Sequence, residues 1–439
     1  MNFNIWADRF TKLRSDDDIN RLVSVRPPEV VGLEKFSPDI SASILGTRLQ
    51  SIYLPNSFAL KLLREINELA YTHCFVSYKN EQLYKKHLYS PTTREYFPIC
   101  LTGYAGIGKS QLLKAIPRMF SQDTDLFIEG IGKIPLKTLW HVNMKDKKGV
   151  KQVLHDFIPD LIGKSGTRVG VDELLRICRR IAFRDGISFM SIDELQFYEQ
   201  GAMATKICTS LLYAATIGLP VIYAANFDLC TKMLLRPQQE RQRLLVEPRV
   251  MWPDDPDGDD WFNFVSECIR VSGGILSNSA CDFSSTLFRY TAGIKRAVVQ
   301  LIKLAYRNAR TRGAHKISAL DLDAAYSSAQ YFTNKKDVQC IQSQIISNKP
   351  ERMDLWCPFE SQIMNSPNIR ALTTAIRDTQ ASTGYLTSTM TPAERESFES
   401  LQAKNFVDDS SVVKSASKRN NDVESLKSAF NKISQKTDR

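Results

Sequence analysis

The sequence lacks the clustered histidines and cysteines that are typical of metal centres. Its five histidines are scattered along the chain, and its nine cysteines include no C-x-x-C pair. Most of these cysteines lie in apolar runs, which is typical of reduced thiols in a protein core. We therefore expect neither a zinc site nor a fold held by disulfides.

Long apolar segments are also missing. The chain has no signal-peptide pattern and no run of ~18 apolar residues that could cross a membrane, which predicts a cytoplasmic protein without a membrane partner. No spacing typical of a zinc finger or a helix-turn-helix is present, so any contact with DNA is expected to be independent of base sequence. The substrate lid of a small-molecule kinase is not recognisable either.

The composition is that of a globular and mildly basic protein. The chain has 439 residues, of which 43% are hydrophobic and 24% are charged, and this length is sufficient for two or three domains. The formal net charge of +10 favours a polyanionic partner such as duplex DNA.

A phosphate-binding motif of the form G-x-x-x-x-G-K-[ST] occupies residues 103–110. Its glycines let backbone N–H groups approach phosphate oxygens, Lys109 is expected to reach the β and γ phosphates, and the Ser110 hydroxyl is expected to bind Mg²⁺. An apolar strand precedes the loop and a helix follows it, with its positive N-terminus facing the phosphates. The predicted nucleotide-binding residues are Gly103, Gly106, Gly108, Lys109, Ser110 and Gln111.

A second motif follows the apolar run 187–192, which ends in Asp193 and Glu194. Catalytic groups of parallel sheets lie at the carboxyl ends of the strands. We expect Asp193 to hold Mg²⁺ through water, and Glu194 to polarise the attacking water as a general base. The alternative is an acidic pair that merely caps a strand at the surface. With the phosphate motif upstream, the pair predicts hydrolysis of a bound nucleotide such as ATP.

The fold class follows from the order of the predicted elements. Strands alternate with helices between residues 91 and 257, which predicts a parallel α/β sheet, and helical periodicity replaces this alternation over residues 258–335. We therefore predict an α/β fold in which a P-loop parallel sheet is flanked by helices and followed by a small helical lid. Among the predicted elements are strands near 138–143 and 220–226, and helices at 172–184, 205–217, 261–271, 281–290, 294–310 and 319–331.

The two ends of the chain have a different character. Residues 1–90 are predicted to form an N-terminal helical appendage, with an apolar stripe that docks on its own domain or on a partner. Residues 336–439 are predicted to be a C-terminal extension, largely a flexible tail, with a short apolar stripe that folds on a partner. The N-terminal stripe consists of Phe3, Trp6, Phe10 and Leu13, and the C-terminal one of Val423, Leu426, Phe430 and Ile433.

Two further positions resemble the AAA+ group of ATPases. Asn226 ends the strand that follows the Asp193 strand, and it matches the position called sensor one, which helps to hold the attacking water. The run Gly293-Ile294-Lys295-Arg296 opens a lid helix. It is similar to the sensor-two pattern, whose arginine contacts the γ-phosphate, so the resemblance assigns this contact to Arg296.

Within the AAA+ group, the chain resembles the TnsC/TniB family of transposition regulators over roughly residues 95–330. The resemblance rests on the acidic motif 193–196, the strand 219–222, an arginine-rich turn at 236–243 and the segment 251–262. Members of that family assemble as ATP-dependent rings or helical filaments around duplex DNA, and they connect a target-selection protein to a transposase.

The resemblance also implies site residues. An arginine supplied to the neighbouring subunit's active site is expected in such an assembly; Arg243 is the first choice and Arg241 the second. The basic loop after the second strand is expected to follow the DNA phosphate backbone. Its predicted DNA-binding residues are Lys145, Lys147, Lys148 and Lys151, which Lys133, Lys137, Lys164 and Arg168 extend.

Two other classes of function remain open from the sequence. One is a helicase or transposase loader of the DnaC/IstB type, which is also an AAA+ protein. The other is a phage-defence ATPase that serves as a signalling scaffold, in which the nucleotide only switches assembly. The basic loop and the segment around Trp252-Pro253-Asp254 favour the transposition hypothesis.

Overall fold

The computed structural model describes most of the chain up to residue 359. The described residues are 4–11, 15–89, 91, 94–120, 124–144, 149–158, 170–193, 195, 203–276 and 280–359, without the side chains of 203, 204 and 280–282. Several residues named above lie outside this part of the chain, namely Phe3, Leu13, Lys145, Lys147, Lys148, Lys164, Arg168, Glu194 and the C-terminal stripe 423–433.

Helices precede the sheet in the N-terminal region. They are α1 (Ile5–Asp8), α2 (Asp16–Val23), α3 (Pro38–Gln50), α4 (Ser57–Ser77) and α5 (Glu81–His87). Trp6 and Phe10 of the predicted stripe are buried. The Trp6 ring stacks on Tyr78 and Tyr84, with centroid distances of 5.6 and 5.3 Å. The described part of the stripe therefore packs within its own chain.

A parallel sheet forms the centre of the molecule. The strands of the described chain are β1 (Ile99–Gly103), β2 (Thr124–Ile128), β3 (Gly132–Leu136), β4 (Leu139–Asn143), β5 (Phe189–Asp193), β6 (Val221–Ala224) and β7 (Glu247–Met251). Five of them pair in the order β4-β5-β6-β1-β7, and β2 and β3 form a separate antiparallel hairpin. Strands β1, β5 and β6 are buried along their whole length, as expected for apolar strands with both faces covered. The predicted α/β class is confirmed.

Amphipathic helices connect these strands and cover the sheet. They are α6 (Lys109–Met119), α7 (Val150–Asp156), α8 (Val171–Arg184), α9 (Met203–Ala215), α10 (Phe227–Leu234) and α11 (Gln238–Leu244). One apolar cluster joins β4, β5 and β6 to the helices α7 to α9, and it includes the stacked pair Trp140 and Phe157, whose ring centroids are 4.4 Å apart. Helices α8 and α9 correspond to the predicted helices 172–184 and 205–217.

A helical region follows the sheet, and its last described helix continues past residue 335, where the predicted lid ends. Its helices are α12 (Asp259–Val271), α13 (Ala280–Thr291), α14 (Lys295–Thr311), α15 (Ala319–Tyr326) and α16 (Phe332–Ser347). Helix α14 packs along α3, where Lys303 lies over Gly46, so the N-terminal helices also contact this region. Among the described residues, no helix combines the length and apolarity needed to cross a membrane.

Two details of the prediction were wrong. A single helix over 319–331 is not formed, because α15 ends at Tyr326, where the Ser328 hydroxyl donates to the Ala325 carbonyl at 2.7 Å and competes with the helical hydrogen bonds. The β2–β3 hairpin was not predicted at all. Its turn carries Gly130 and Gly132, both with positive φ, and this glycine spacing is the local signal that could have indicated it.

Candidate active site

The phosphate loop connects β1 to α6 and is held against two other parts of the chain. Gly103 has φ +149°, and a Cβ at this position would overlap the Met251 carbonyl oxygen at the end of β7. Gly106 has φ +82°, and a Cβ there would lie 2.8 Å from the Cβ of Arg296. Only glycine fits these two positions, because both the backbone conformation and the close approach exclude a side chain. Gly108 is the N-cap of α6, and Gln111 lies in its first turn.

Lys109 begins α6, and its ammonium group lies over the loop. The Nζ atom donates to the carbonyl oxygens of Gly103 at 2.7 Å and Tyr104 at 2.9 Å. Burial lowers the pKa of Lys109 to about 8; the Arg296 charge acts in the same direction, and Asp193 acts against it. A polyphosphate bound here would add negative charge beside the ammonium group and raise its pKa again.

The end of β5 faces the same loop. The Ser110 hydroxyl donates to Asp193 Oδ1 at 3.1 Å, and the Asp193 side chain is buried. A hydroxyl and a carboxylate are the hard oxygen donors that Mg²⁺ prefers, and Mg²⁺ takes its remaining ligands from water and phosphate. The described residues contain no group of three or more His, Cys, Asp or Glu side chains that could hold an ion by themselves. The donor set therefore fits a magnesium ion that arrives with a nucleotide.

Strand β4 brings polar residues next to Asp193 that the sequence analysis did not single out. Asn143 is opposite Asp193 in the register, and His141 is opposite Ser191, with His141 Nδ1 at 2.8 Å from the Ser191 hydroxyl. Burial lowers the pKa of His141, whereas the Asp193 charge opposes this shift. Strand pairing thus places the polar residues His141 and Asn143 of β4 beside the end of β5, where Asp193 lies.

Asn226 lies at the same edge of the sheet. It follows β6, which runs between β1 and β5, and therefore lies between the phosphate loop and Asp193 in strand order. Its Oδ1 atom accepts the Leu229 N–H at 2.9 Å and caps α10. The capping bond fixes the Asn226 side chain at this edge, and the amide nitrogen retains its capacity to donate.

The start of α14 closes the loop from the other side. The Arg296 N–H donates to the Gly106 carbonyl at 3.1 Å, and Lys295 pairs with Asp254 at 3.1 Å. Asp254 Oδ1 also accepts a hydrogen bond from Asn56 at 2.5 Å. The helical region after the sheet is therefore attached to the phosphate loop, and the exposed side chain of Arg296 begins beside it.

Arg243 and Arg241 lie elsewhere. Arg243 Nη2 is 3.6 Å from Glu95 Oε1, just before the start of β1, and Arg241 donates to the Leu234 carbonyl at 3.4 Å. Strand β1 spans about 17 Å at ~3.3 Å per residue, and the phosphate loop is at its far end. Arg243 therefore lies at the amino-terminal ends of the strands, whereas Lys109 lies at their carboxyl ends. Arg243 does not reach the phosphate loop of its own chain.

Of the predicted DNA-binding loop, only Lys151 is among the described residues. It is exposed in the first turn of α7. The neighbouring Met144 N–H donates to the Asp193 carbonyl at 3.0 Å, so the chain that enters the loop is bonded directly to the end of β5. Lys133 pairs with Asp125 at 2.7 Å within the hairpin, which reduces its contribution to a basic surface.

No known family profile matches this sequence, and no curated protein matches it. Solved structures similar to it include the Aeropyrum pernix ORC2 protein in its ADPNP-ADP complexes, with 14% identity, 64% of this chain and 72% of that chain covered and a TM-score of 0.38. Cdc6p from Pyrobaculum aerophilum has 12% identity, 79% and 85% coverage and a TM-score of 0.42. A single-residue variant of RuvB from Thermotoga maritima has 11% identity, 62% and 76% coverage and a TM-score of 0.32. TM-scores this low assign the chain neither an activity nor a partner.

Proposed function

We propose that the protein is an AAA+ ATPase that binds and hydrolyses magnesium-ATP. The observation that carries this proposal is the meeting of three separate parts of the chain at one glycine-rich loop. Lys109 lies over the loop, Ser110 and Asp193 form a hard-oxygen pair beside it, and the backbone of Arg296 is bonded to it. Such convergence is what phosphate binding requires.

Each residue has a role in phosphoryl transfer to water. Backbone N–H groups of the loop and the Lys109 ammonium neutralise the β and γ phosphates, while Ser110 and Asp193 hold Mg²⁺, which supplies further positive charge when it is bound. Glu194, next to Asp193 in sequence, accepts a proton from the attacking water. Asn226 orients that water, and Arg296 contacts the γ-phosphate.

We further propose that hydrolysis occurs between neighbouring copies of the chain. Arg243 is exposed at the edge of the sheet opposite its own phosphate loop, which supports a contribution to the next subunit's site. A contact that joins opposite edges is heterologous, and repeating it builds a ring or a helical filament. Stabilisation of the phosphate charge in trans makes hydrolysis dependent on assembly.

The assembly is proposed to act on duplex DNA in the manner of the TnsC/TniB family. The basic loop follows β4, and Met144, which precedes the loop, is hydrogen-bonded to Asp193 at the end of β5. A DNA contact in the loop would therefore act close to the carboxylates Asp193 and Glu194. The net charge of +10 agrees with a polyanionic partner. The proposed role is to couple target-site selection to a transposase in the cytoplasm, with target-selection proteins and the transposase as partners.

Electron microscopy of the purified protein tests this proposal. Rings or filaments are expected with duplex DNA and a non-hydrolysable ATP analogue together, and not with either ligand alone. Lys109→Ala provides the matched control, because it removes the phosphate contact and leaves the basic loop in place. Assemblies that form equally well with Lys109→Ala, or no assemblies with both ligands present, would contradict the proposal.

A further inference from the structure

A cavity of about 310 Å³ opens at the amino-terminal edge of the sheet. Four separate segments form it: the stretch before β1, helix α8, the end of α9 and the end of α11. Its floor is apolar and includes Leu212 and Leu244, and Phe97 at its rim is 52% exposed. Its charged residues are Arg94, Arg179, Arg243 and Glu95.

The cavity carries more positive charge than its own residues neutralise. It combines three guanidinium groups with one carboxylate, and the Glu95–Arg243 pair is long, at 3.6 Å, with both side chains mostly exposed. An anion bound among positive charges from three segments would reduce their mutual repulsion. Burial lowers the pKa of the neighbouring His73 to about 4, and the charges of Arg94 and Arg9 act in the same direction.

Two of the arginines, Arg179 and Arg94, contact neighbouring groups. Arg179 Nε donates to the Thr216 carbonyl at 2.9 Å, which fixes one side of its guanidinium group while the fork retains donors for an anion. Arg94 lies beside Tyr96, whose hydroxyl is 3.0 Å from His73 Nδ1. A charged group that is already oriented loses little conformational entropy when it binds phosphate.

The anion cannot be the nucleotide of the same chain, since the phosphate loop is at the other end of β1. A second copy of this chain carries the matching charge, because its bound triphosphate is a compact polyanion at the opposite edge of its sheet. We infer that Arg94 and Arg179 join Arg243 in contacting the triphosphate bound by the neighbouring copy. The cavity is then half of a composite active site. The inference rests on the proposed function and extends it to two residues that no motif indicates.

The test measures hydrolysis and ligand binding by full-length variants with DNA present. Arg94→Ala and Arg179→Ala are each expected to lower kcat about 100-fold, whereas the Kd for ATP changes less than about twofold, because each subunit keeps its own phosphate loop. Affinity for ADP with aluminium fluoride, a mimic of the transferring phosphoryl group, is expected to fall about tenfold or more. Arg176→Ala is the matched control, because Arg176 is on α8, pairs with Glu173 and does not line the cavity.

Two further measurements separate phosphate contact from a structural role. Arg179→Lys keeps the charge but not the fork, and it is expected to recover part of the hydrolysis lost in Arg179→Ala. Mixing Arg179→Ala with Glu194→Gln, which binds ATP and keeps all three arginines, is expected to restore hydrolysis at mixed contacts. Normal affinity of Arg179→Ala and Arg94→Ala for the fluoride complex, or no recovery in the mixture, would overturn the inference.

Failure of the inference is distinguishable from failure of the proposed function. If Arg243→Ala loses hydrolysis while Arg94→Ala and Arg179→Ala retain it, the cavity is not part of the composite site and the proposed function stands. If all three variants hydrolyse ATP normally, both the composite site and the cavity inference are wrong. Melting curves that match the wild type exclude unfolding as the cause of a loss.

Discussion

Replacing Arg243 by alanine is expected to abolish most ATP hydrolysis while each subunit still binds ATP. Arg243 is separated from its own phosphate loop by the length of β1, about 17 Å, so its removal leaves that loop unchanged. Its pairing with Glu95 is long and exposed, at 3.6 Å with 59% and 68% of the two side chains accessible, and therefore contributes little to stability. An arginine supplied in trans typically accelerates phosphoryl transfer by about 10³-fold or more, and we expect a loss of that order in kcat.

A mixing experiment gives this prediction a quantitative form. Arg243→Ala supplies intact phosphate loops, and Glu194→Gln binds ATP, assembles and supplies intact arginines, although it lacks the general base. In an equimolar random mixture, about one quarter of the contacts in a head-to-tail assembly combine a competent loop with a competent arginine. We therefore expect the mixture to hydrolyse ATP at roughly one quarter of the wild-type rate, with each parent nearly inactive.

The assay is steady-state phosphate release in the presence of duplex DNA, at protein concentrations where assembly is complete. Arg176→Ala controls for the loss of one exposed arginine, and Arg241→Ala distinguishes the two candidates on α11. A mixture no more active than its parents would refute the shared site. A large loss in Arg241→Ala, with Arg243→Ala active, would instead move the role to Arg241.

Three other predictions concern the phosphate loop and the basic surface. Lys109→Ala is expected to weaken ATP binding at least about 100-fold in a titration with labelled nucleotide, and an unchanged Kd would refute the assignment of the loop. The pKa of Lys109 is lowered to about 8, and bound phosphate raises it, so ATP binding near pH 9 should take up protons and should weaken as the pH rises. Calorimetry in buffers of different ionisation enthalpy measures this proton uptake. Lys109→Met should eliminate the uptake. Replacing four lysines of the basic loop should weaken binding to unrelated duplexes equally. It should also reduce the slope of log affinity against log salt by up to about 0.9 per lost phosphate contact. Replacing four exposed lysines elsewhere should change neither the affinity nor the slope. The loop set is Lys145, Lys147, Lys148 and Lys151, and the control set is Lys35, Lys61, Lys79 and Lys316.

The sequence alone determined the features that depend on residues close together in the chain. The phosphate loop, its preceding strand and α6 are contiguous in the chain. Their motif, which consists of the glycine spacing, the lysine and the hydroxyl, can therefore be recognised without any tertiary contact. Helix α8 was predicted within one residue because its apolar positions repeat with the helical period. The α/β class followed from the same local patterns, because alternating strands and helices leave a covered parallel sheet as the main way to bury both faces.

Tertiary structure decided which of these pieces meet. Strand order places β6 between β1 and β5, and so brings Asn226 to the edge that carries Lys109 and Asp193. The bond from Arg296 to Gly106 joins the helical region to the loop, although nothing in the local sequence of either residue specifies the other. The register of β4 on β5 places Asn143 opposite Asp193, and this pairing also joins residues far apart in the sequence.

The cavity with three arginines shows the limit of the sequence most clearly. Arg94, Arg179 and Arg243 belong to three segments, and no sequence motif links Arg94 or Arg179 to Arg243. Only the packing of α8, α9 and α11 against the start of β1 brings them together. Periodicity and motifs report neighbours along the chain, whereas an electrostatic site is defined by distances between side chains, which the sequence fixes only through the complete fold.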